Sequence, residues 1–209
     1  MLKVIAFSDT HRTHEDLTID YCSVLIFAGD HHCTTQLELA RFLEWFSEQP
    51  SEYKIFIPGN HDIYCEKNPE DTRQLMSDYD IIYLCDSGAI LEGKKFWGSP
   101  VTPEFNNWAF NRTPEQREKH WKRVPENLDV LITHGPPKYI MDETIMTNGP
   151  VGCPYLNTEV ENKKPKHHVF GHIHSAAGQK RIGSTHFHNV SVLTDNYAPN
   201  YKDLQEFEI

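Results

Sequence analysis

The chain has no stretch near the roughly 20 consecutive apolar residues a membrane helix needs, so its 209 residues hold no expected spanning segment. Paired thiols are also missing. The five cysteines, Cys22, Cys33, Cys65, Cys85 and Cys153, are odd in number and include no Cys-x-x-Cys spacing. That argues against a disulfide framework and against a thiolate zinc site; it favours a cytoplasmic setting in which they are small buried side chains. No stripe of Lys and Arg runs along the chain, and the formal charge is −10. Phosphate-backbone affinity needs clustered cations, so long nucleic acid is not an expected partner. A small anionic substrate stays open, because divalent metals reverse the sign of a site built from carboxylates. The start, with Leu2, Val4, Ile5, Ala6 and Phe7, reads as a strand and shows no secretory signal.

What is present is an ordinary globular composition, 38% hydrophobic and 24% charged, which suggests one domain over residues 1–209 with a real core. Apolar runs recur. Lys3 to Phe7, Val24 to Ala28, Tyr53 to Ile57, Val130 to Thr133 and His168 to Phe170 read as strands. Thr35 and Glu38 form a capping box ahead of Leu39, Phe42, Leu43 and Phe46, predicting an amphipathic helix of about 14 residues. Asn68 and Pro69 read as N-cap and first turn of a second helix ending near Tyr79. Thr113 and Gln116 repeat the capping logic for a third, and Pro154 to Val160 reads as a fourth. Ile81 to Leu84, Ala89 to Leu91, Lys95 to Trp97 and Thr185 to Val190 read as further strands, with a hairpin across Glu92-Gly93-Lys94. The mixture predicts an α/β fold of two packed sheets flanked by helices, without repeats or linkers.

Metal-ligand side chains follow the strand ends in five blocks: Asp9 and His11, Asp30, Asn60-His61-Asp62, His134, and His172 and His174. Open α/β sheets bind ligands outside that edge. Asp9 and His11 are two residues apart, as are His172 and His174, so each pair can project to one side. Asp30 is the natural bridge between two cations, having two oxygens to divide. Asn60 offers a neutral carbonyl oxygen and an amide NH₂ free to touch a substrate. Singly, Asp-Thr is as good a turn as a ligand and Gly-Asp means little. Together and in this order they point to a two-metal centre.

The order D-x-H, G-D, G-N-H-D, H, G-H-x-H resembles the calcineurin-like metallophosphoesterase superfamily. Over most of the chain it is similar to the subgroup of metallophosphoesterase-domain-containing proteins, through Trp97-Gly98-Ser99-Pro100, Pro103-Glu104-Phe105, Trp108-Ala109-Phe110-Asn111, Thr133-His134-Gly135-Pro136-Pro137, Gly152-Cys153, Leu156 and the run from His168 to His174. That resemblance implies a four-layer αββα sandwich of two mixed sheets and a dinuclear metal centre. It assigns Asp9, His11, Asp30 and His174 to one metal, and Asp30, Asn60, His134 and His172 to the other. His61 becomes the non-ligand acid beside the leaving group, and Asp62 the carboxylate that orients it. Asp30, His61 and Asp62 form the expected catalytic set, with Asn60 and His61 as substrate contacts. The Ser/Thr protein phosphatase branch carries an arginine after its Gly-Asp block. Here His31, His32, Cys33 and Thr34 follow Asp30 instead, which weakens that reading and leaves His31 and His32 as substrate contacts or solvated loop residues.

The expected chemistry is attack on a phosphoester by a hydroxide bridging two divalent metals, manganese foremost, with Fe, Zn, Co, Ni or Mg as alternatives. The expected substrates are small phosphodiesters, and the subgroup implies cyclic nucleotides, 2′,3′-cyclic ahead of 3′,5′-cyclic. A phosphomonoesterase, a nuclease, or a metal-stabilised module without turnover are the other readings. His14, His120, His167, His186 and His188 read first as packing residues, with His186 and His188 also able to face the site from a strand. Trp97, Trp108 and Phe110 read as core or rim aromatics first and as a base-stacking platform second.

Overall fold

A computed structural model describes residues 1–144, 149–201 and 204–209. The first sheet contains β1 (Lys3–Phe7), β2 (Cys22–Phe27), β3 (Ser51–Phe56) and β4 (Ile82–Tyr83), all parallel, with β13 (Gln205–Glu208) antiparallel on the edge beside β1. The second is built on the parallel strands β6 (Lys94–Ser99), β9 (Val130–Thr133), β10 (His167–Phe170) and β12 (Thr185–Asn189). It is edged by the antiparallel β5 (Ser87–Leu91) and β11 (Gly178–Ile182). A short ribbon pairs β7 (Thr102–Pro103) with β8 (Asn111–Arg112).

Alternation along each strand sorts its side chains between two cores. From β1 and β2, Ile5, Phe7, Leu25 and Phe27 meet Leu39, Phe42, Leu43 and Phe46 of α1 (Gln36–Ser47) and Met76 of α3 (Pro69–Asp78). Their neighbours Val4, Ala6, Val24 and Ile26 face the other sheet and pack with Phe96, Val130, Ile132 and Val169. On the far side, Trp97, Leu131 and Phe170 meet Trp121 of α4 (Pro114–Trp121) and Leu156 and Val160 of α5 (Pro154–Lys163). Three cores between four layers make the αββα sandwich that the sequence predicts. Each fully buried Phe or Leu contributes about 1.5–3 kcal/mol. No helix among the described residues is long and apolar enough to cross a membrane.

Local signals explain the element ends. Both capping boxes form: Glu38 N–H donates to Thr35 Oγ1 at 3.3 Å, and Gln116 N–H to Thr113 Oγ1 at 3.4 Å. The β5–β6 hairpin turns on Glu92 (φ 47°) and Gly93 (φ 78°), the left-handed pair a two-residue turn requires. Asn68 departs from expectation. Its side chain makes no N-cap bond and instead donates to Tyr64 O at 3.2 Å, because it follows a short helix, α2 (Ile63–Lys67), that the sequence reading does not contain. α5 continues to Lys163 and stops where Lys164 turns left-handed (φ 48°).

Candidate metal centre

All seven expected ligands leave the same end of the two sheets and meet in one cleft. Asp9 and His11 follow β1, Asp30 follows β2 and Asn60 follows β3, while His134 follows β9 and His172 and His174 follow β10. Asp9, His11 and His174 bring ligand atoms within 4.8 Å of one another, and so do Asp30, His134 and His172. Each group takes side chains from both sheets. Asp30 joins the groups: its Oδ2 lies 3.3 Å from His134 Nε2 and 4.0 Å from both His11 Nε2 and His61 Nε2. Its Oδ1 accepts the His61 backbone N–H at 2.8 Å, which fixes the carboxylate.

Tautomers follow from the backbone. His134 Nδ1 donates to Ala28 O at 2.9 Å, which leaves its Nε2 to face Asn60 Oδ1 at 2.9 Å and Asp30 Oδ2 at 3.3 Å. His174 repeats the arrangement. Its Nδ1 donates to Thr194 O at 3.0 Å, and its Nε2 faces Asp9 Oδ1 at 3.6 Å. Asp9 Oδ2 accepts from Ser8 Oγ at 2.5 Å and from His172 N at 2.9 Å, while the buried Oδ1 has no hydrogen-bond partner among the described residues. An imidazole nitrogen aimed at acceptor oxygens holds a proton between them in the metal-free protein and suits a divalent cation in that proton's place. Mixed imidazole, carboxylate and amide donors suit a divalent ion.

The charge pattern agrees. Burial opposes ionisation of Asp9 and Asp30, but His174 holds the first and His134 the second well below the carboxylate range. Burial likewise opposes protonation of His134 and His174, yet Asp30 and Asp9 lift them to about 9. His11 and His172, with burial dominant, fall to about 4. Without cations, protons on two histidines balance the two carboxylates.

The backbone is bent to reach this geometry. Asp9 (φ 57°), His11 (φ 40°), Asp30 (φ 65°) and His172 (φ 71°) all adopt left-handed conformations, which cluster where surrounding structure enforces them. Gly59 is required here for a different reason, since a Cβ would overlap Asp30 Oδ1.

A sequence profile described as calcineurin-like phosphoesterase matches residues 2–176. The chain belongs to that family. Metallophosphoesterase domain-containing protein 1 of Homo sapiens and that of Mus musculus are each 36% identical over 227 residues, covering 94% of this chain and 68% of the relative. The crystal structure of phosphopantetheinyl hydrolase from Mycobacterium tuberculosis superposes with a TM-score of 0.66 at 15% identity, covering 93% of this chain and 90% of that one. That likeness concerns the fold.

Within this calcineurin-like phosphoesterase, one expected role changes. Asp62 does not orient the His61 ring. Its buried carboxylate accepts backbone N–H groups from Gly59 (2.7 Å), Asp30 (2.9 Å) and His32 (2.9 Å), and so staples the ligand loops together. Burial pushes its carboxyl up to about 6, with the Asp30 charge adding and the N–H donors opposing. His31 and His32 separate. His31 is buried and stacks on Phe42 at 4.3 Å, whereas His32 reaches the site, its Nδ1 3.5 Å from His11 Nδ1.

His186 and His188 lie off the site; His188 stacks on Phe207 at 4.3 Å, and His186 lies 5.3 Å from the His167 ring. Trp97 and Phe110 are core residues, which leaves Trp108, 4.1 Å from the His61 ring, as the site's tryptophan. Tyr197 joins the site without a mark in the sequence. It stands edge-on to His11 at 4.9 Å and His174 at 5.5 Å, is 56% exposed, and sits in a turn with no ligand-like signal in the sequence.

Proposed function

We propose that this protein is a metal-dependent phosphodiesterase acting on small phosphodiesters, cyclic nucleotides foremost and 2′,3′-cyclic ahead of 3′,5′-cyclic. We assign Asp9, His11, Asp30 and His174 to one divalent cation and Asp30, Asn60, His134 and His172 to a second, with manganese the favoured ion. The observation carrying this reading is His134 Nε2 facing Asn60 Oδ1 at 2.9 Å and Asp30 Oδ2 at 3.3 Å, three donor atoms from separate strand ends converging on one point. Family membership supports phosphoester chemistry.

Divalent cations held there supply an activated water and neutralise phosphoryl charge. The chain supplies the rest. His61, with its side chain 16% exposed and Nε2 4.0 Å from Asp30 Oδ2, stands at the rim where a departing alkoxide needs a proton. Such acid catalysis is worth about 10²–10⁴-fold. Asn60 is 3% exposed and offers its amide NH₂ to a phosphoryl oxygen. Trp108 and the exposed ring of Tyr197 supply aromatic surface beside the metals for a base.

The test is hydrolysis of bis-p-nitrophenyl phosphate against mono-p-nitrophenyl phosphate with Mn²⁺, followed by a cyclic-nucleotide screen with metal content measured on the same sample. Diester ahead of monoester supports the reading. Monoester far ahead replaces it with a phosphomonoesterase, and cleavage of neither under several metals replaces it with a non-catalytic module. Asp30→Asn should lose metal outright.

A further inference from the structure

With Asp62 committed to backbone, the His61 ring meets a carboxylate only at Nε2, 4.0 Å from Asp30 Oδ2, and no carboxylate among the described residues holds its Nδ1. Its Nδ1 is buried and makes no hydrogen bond among the described residues. An acid in this position normally has its tautomer and direction set by the bond its second nitrogen makes. Two rings bear on His61 instead. The His32 imidazole stacks on it at 4.9 Å with planes 29° apart, and the Trp108 indole lies 4.1 Å away at 48°.

Both rings are themselves held. His32 is anchored by its backbone: its N–H donates to Asp62 Oδ1 at 2.9 Å, and its carbonyl accepts from Arg12 Nε at 3.0 Å. Its Nδ1 lies 3.5 Å from Nδ1 of the ligand His11. His32 adopts φ 74°, a conformation those bonds must maintain. Trp108 is carried by a turn through Asn106 (φ 49°) and Asn107 (φ 55°), with its N–H donating to Phe105 O at 3.3 Å. Next to it, Ala109 N–H donates to Asn60 O at 3.1 Å, so the Trp108 loop is fastened to the backbone immediately before His61. The ring trio His11, His32 and His61 is not a third cation site if His11 already ligates. A neutral imidazole has one lone pair, and in His11 the cation shared with Asp9 and His174 would take it.

We propose that His32 and Trp108 form a ring clamp that positions His61 as proton donor, taking the place of a carboxylate at its Nδ1. The inference rests on the phosphodiesterase reading. His32 and Trp108 are positioning residues; they act through His61.

The experiment compares two diesters with the same phosphoryl group, one losing p-nitrophenolate and one losing an alkoxide, in the metal-loaded wild type and in His61→Ala, His32→Ala, His32→Phe and Trp108→Ala. An alkoxide needs the donated proton and p-nitrophenolate scarcely does. Misplacing the donor should cost His32→Ala and Trp108→Ala about 10- to 100-fold more on the alkyl ester than on the p-nitrophenyl ester, with wild-type metal content. His32→Phe, which keeps a ring, should recover most of that loss. In a His61→Ala background neither substitution should change the ratio further. Independently of turnover, the His61 ring protons should be shifted upfield in the NMR spectrum by Trp108 and lose that shift in Trp108→Ala. If His61→Ala alters the leaving-group ratio but His32→Ala and Trp108→Ala do not, the clamp is overturned and the acid role stands. If His61→Ala leaves the ratio unchanged, or the wild type cleaves neither ester, the functional reading fails, and the ring shift still reports whether the clamp exists.

Discussion

The Asp62 carboxylate accepts the backbone N–H of Asp30 at 2.9 Å, so a residue that ligates nothing fixes the loop bearing the central carboxylate. The same group also holds Gly59 and His32. Asp62→Asn should therefore be costly, because an amide NH₂ would face backbone donors in a dry site. We expect a loss of about 3 kcal/mol, read by urea denaturation, together with weaker metal retention. Wild-type stability and metal content in this variant would show that the loops hold without the staple.

Metal affinity should climb steeply with pH. Burial disfavours the charged forms of His134 and His174, but Asp30 and Asp9 lift both to about 9, so the metal-free protein carries a proton on each at neutral pH. Each cation must displace the proton on its own histidine, which makes the apparent affinity for each rise by up to about 10-fold per pH unit until that proton is gone. In the metal-free protein the same raised values stabilise the fold fully below about 6.5, and that contribution disappears as pH rises through about 9. Chelator competition at three pH values reads the slope; a flat profile contradicts the assignment.

A histidine cluster away from the cleft sets the acid limit. Burial, with neighbouring histidines adding, lowers His167 to about 4 and His168 and His188 to about 3. Unfolded, these groups take protons at about 6.5, so the unfolded chain binds more protons and stability falls as pH drops from there toward 4. His188→Phe keeps the stack on Phe207 and removes one titrating group. Its urea midpoint should therefore fall less between pH 7 and pH 5 than that of the wild type.

Gly171→Ala tests how tightly the chain passes the first ligand. A Cβ there would overlap Ser8 Oγ and Asp9 Oδ2 and come within 2.8 Å of Ser8 Cβ. Overpacking of this kind costs about 1–3 kcal/mol. The thermal midpoint should drop and the Asp9 cation should be lost first, seen as a lower metal-to-protein ratio.

The layer order and ligand set were legible in the sequence because both are written in short-range patterns. Apolar runs of five or so residues end directly in Asp, Asn or His, and Thr35 with Glu38 announces α1 through local bonds alone. β11 and β13 left no such trace: Gly178–Ile182 and Gln205–Glu208 are short edge strands with mostly polar, exposed residues, paired only because a neighbour offers its edge. Asp62 was misread for a related reason. The resemblance implied a pairing with the His61 ring, whereas the fold turns that carboxylate toward three backbone amides brought from residues 30, 32 and 59. Tyr197 and the His32–His61–Trp108 contact are wholly tertiary, joining segments far apart in the chain.

Because each ligand group draws on both sheets, a bound cation is also a rivet across the seam of the sandwich. Residues 9, 11 and 30 lie on one half and residues 134, 172 and 174 on the other, so pulling the halves apart means breaking coordination bonds before the apolar interior is wetted. Loading should then slow unfolding far more than it speeds folding, since the last ligand arrives only after more than 160 intervening residues have found their places. Two fragments divided between Asp62 and Val130 would be expected to rejoin more readily with the ion than without it.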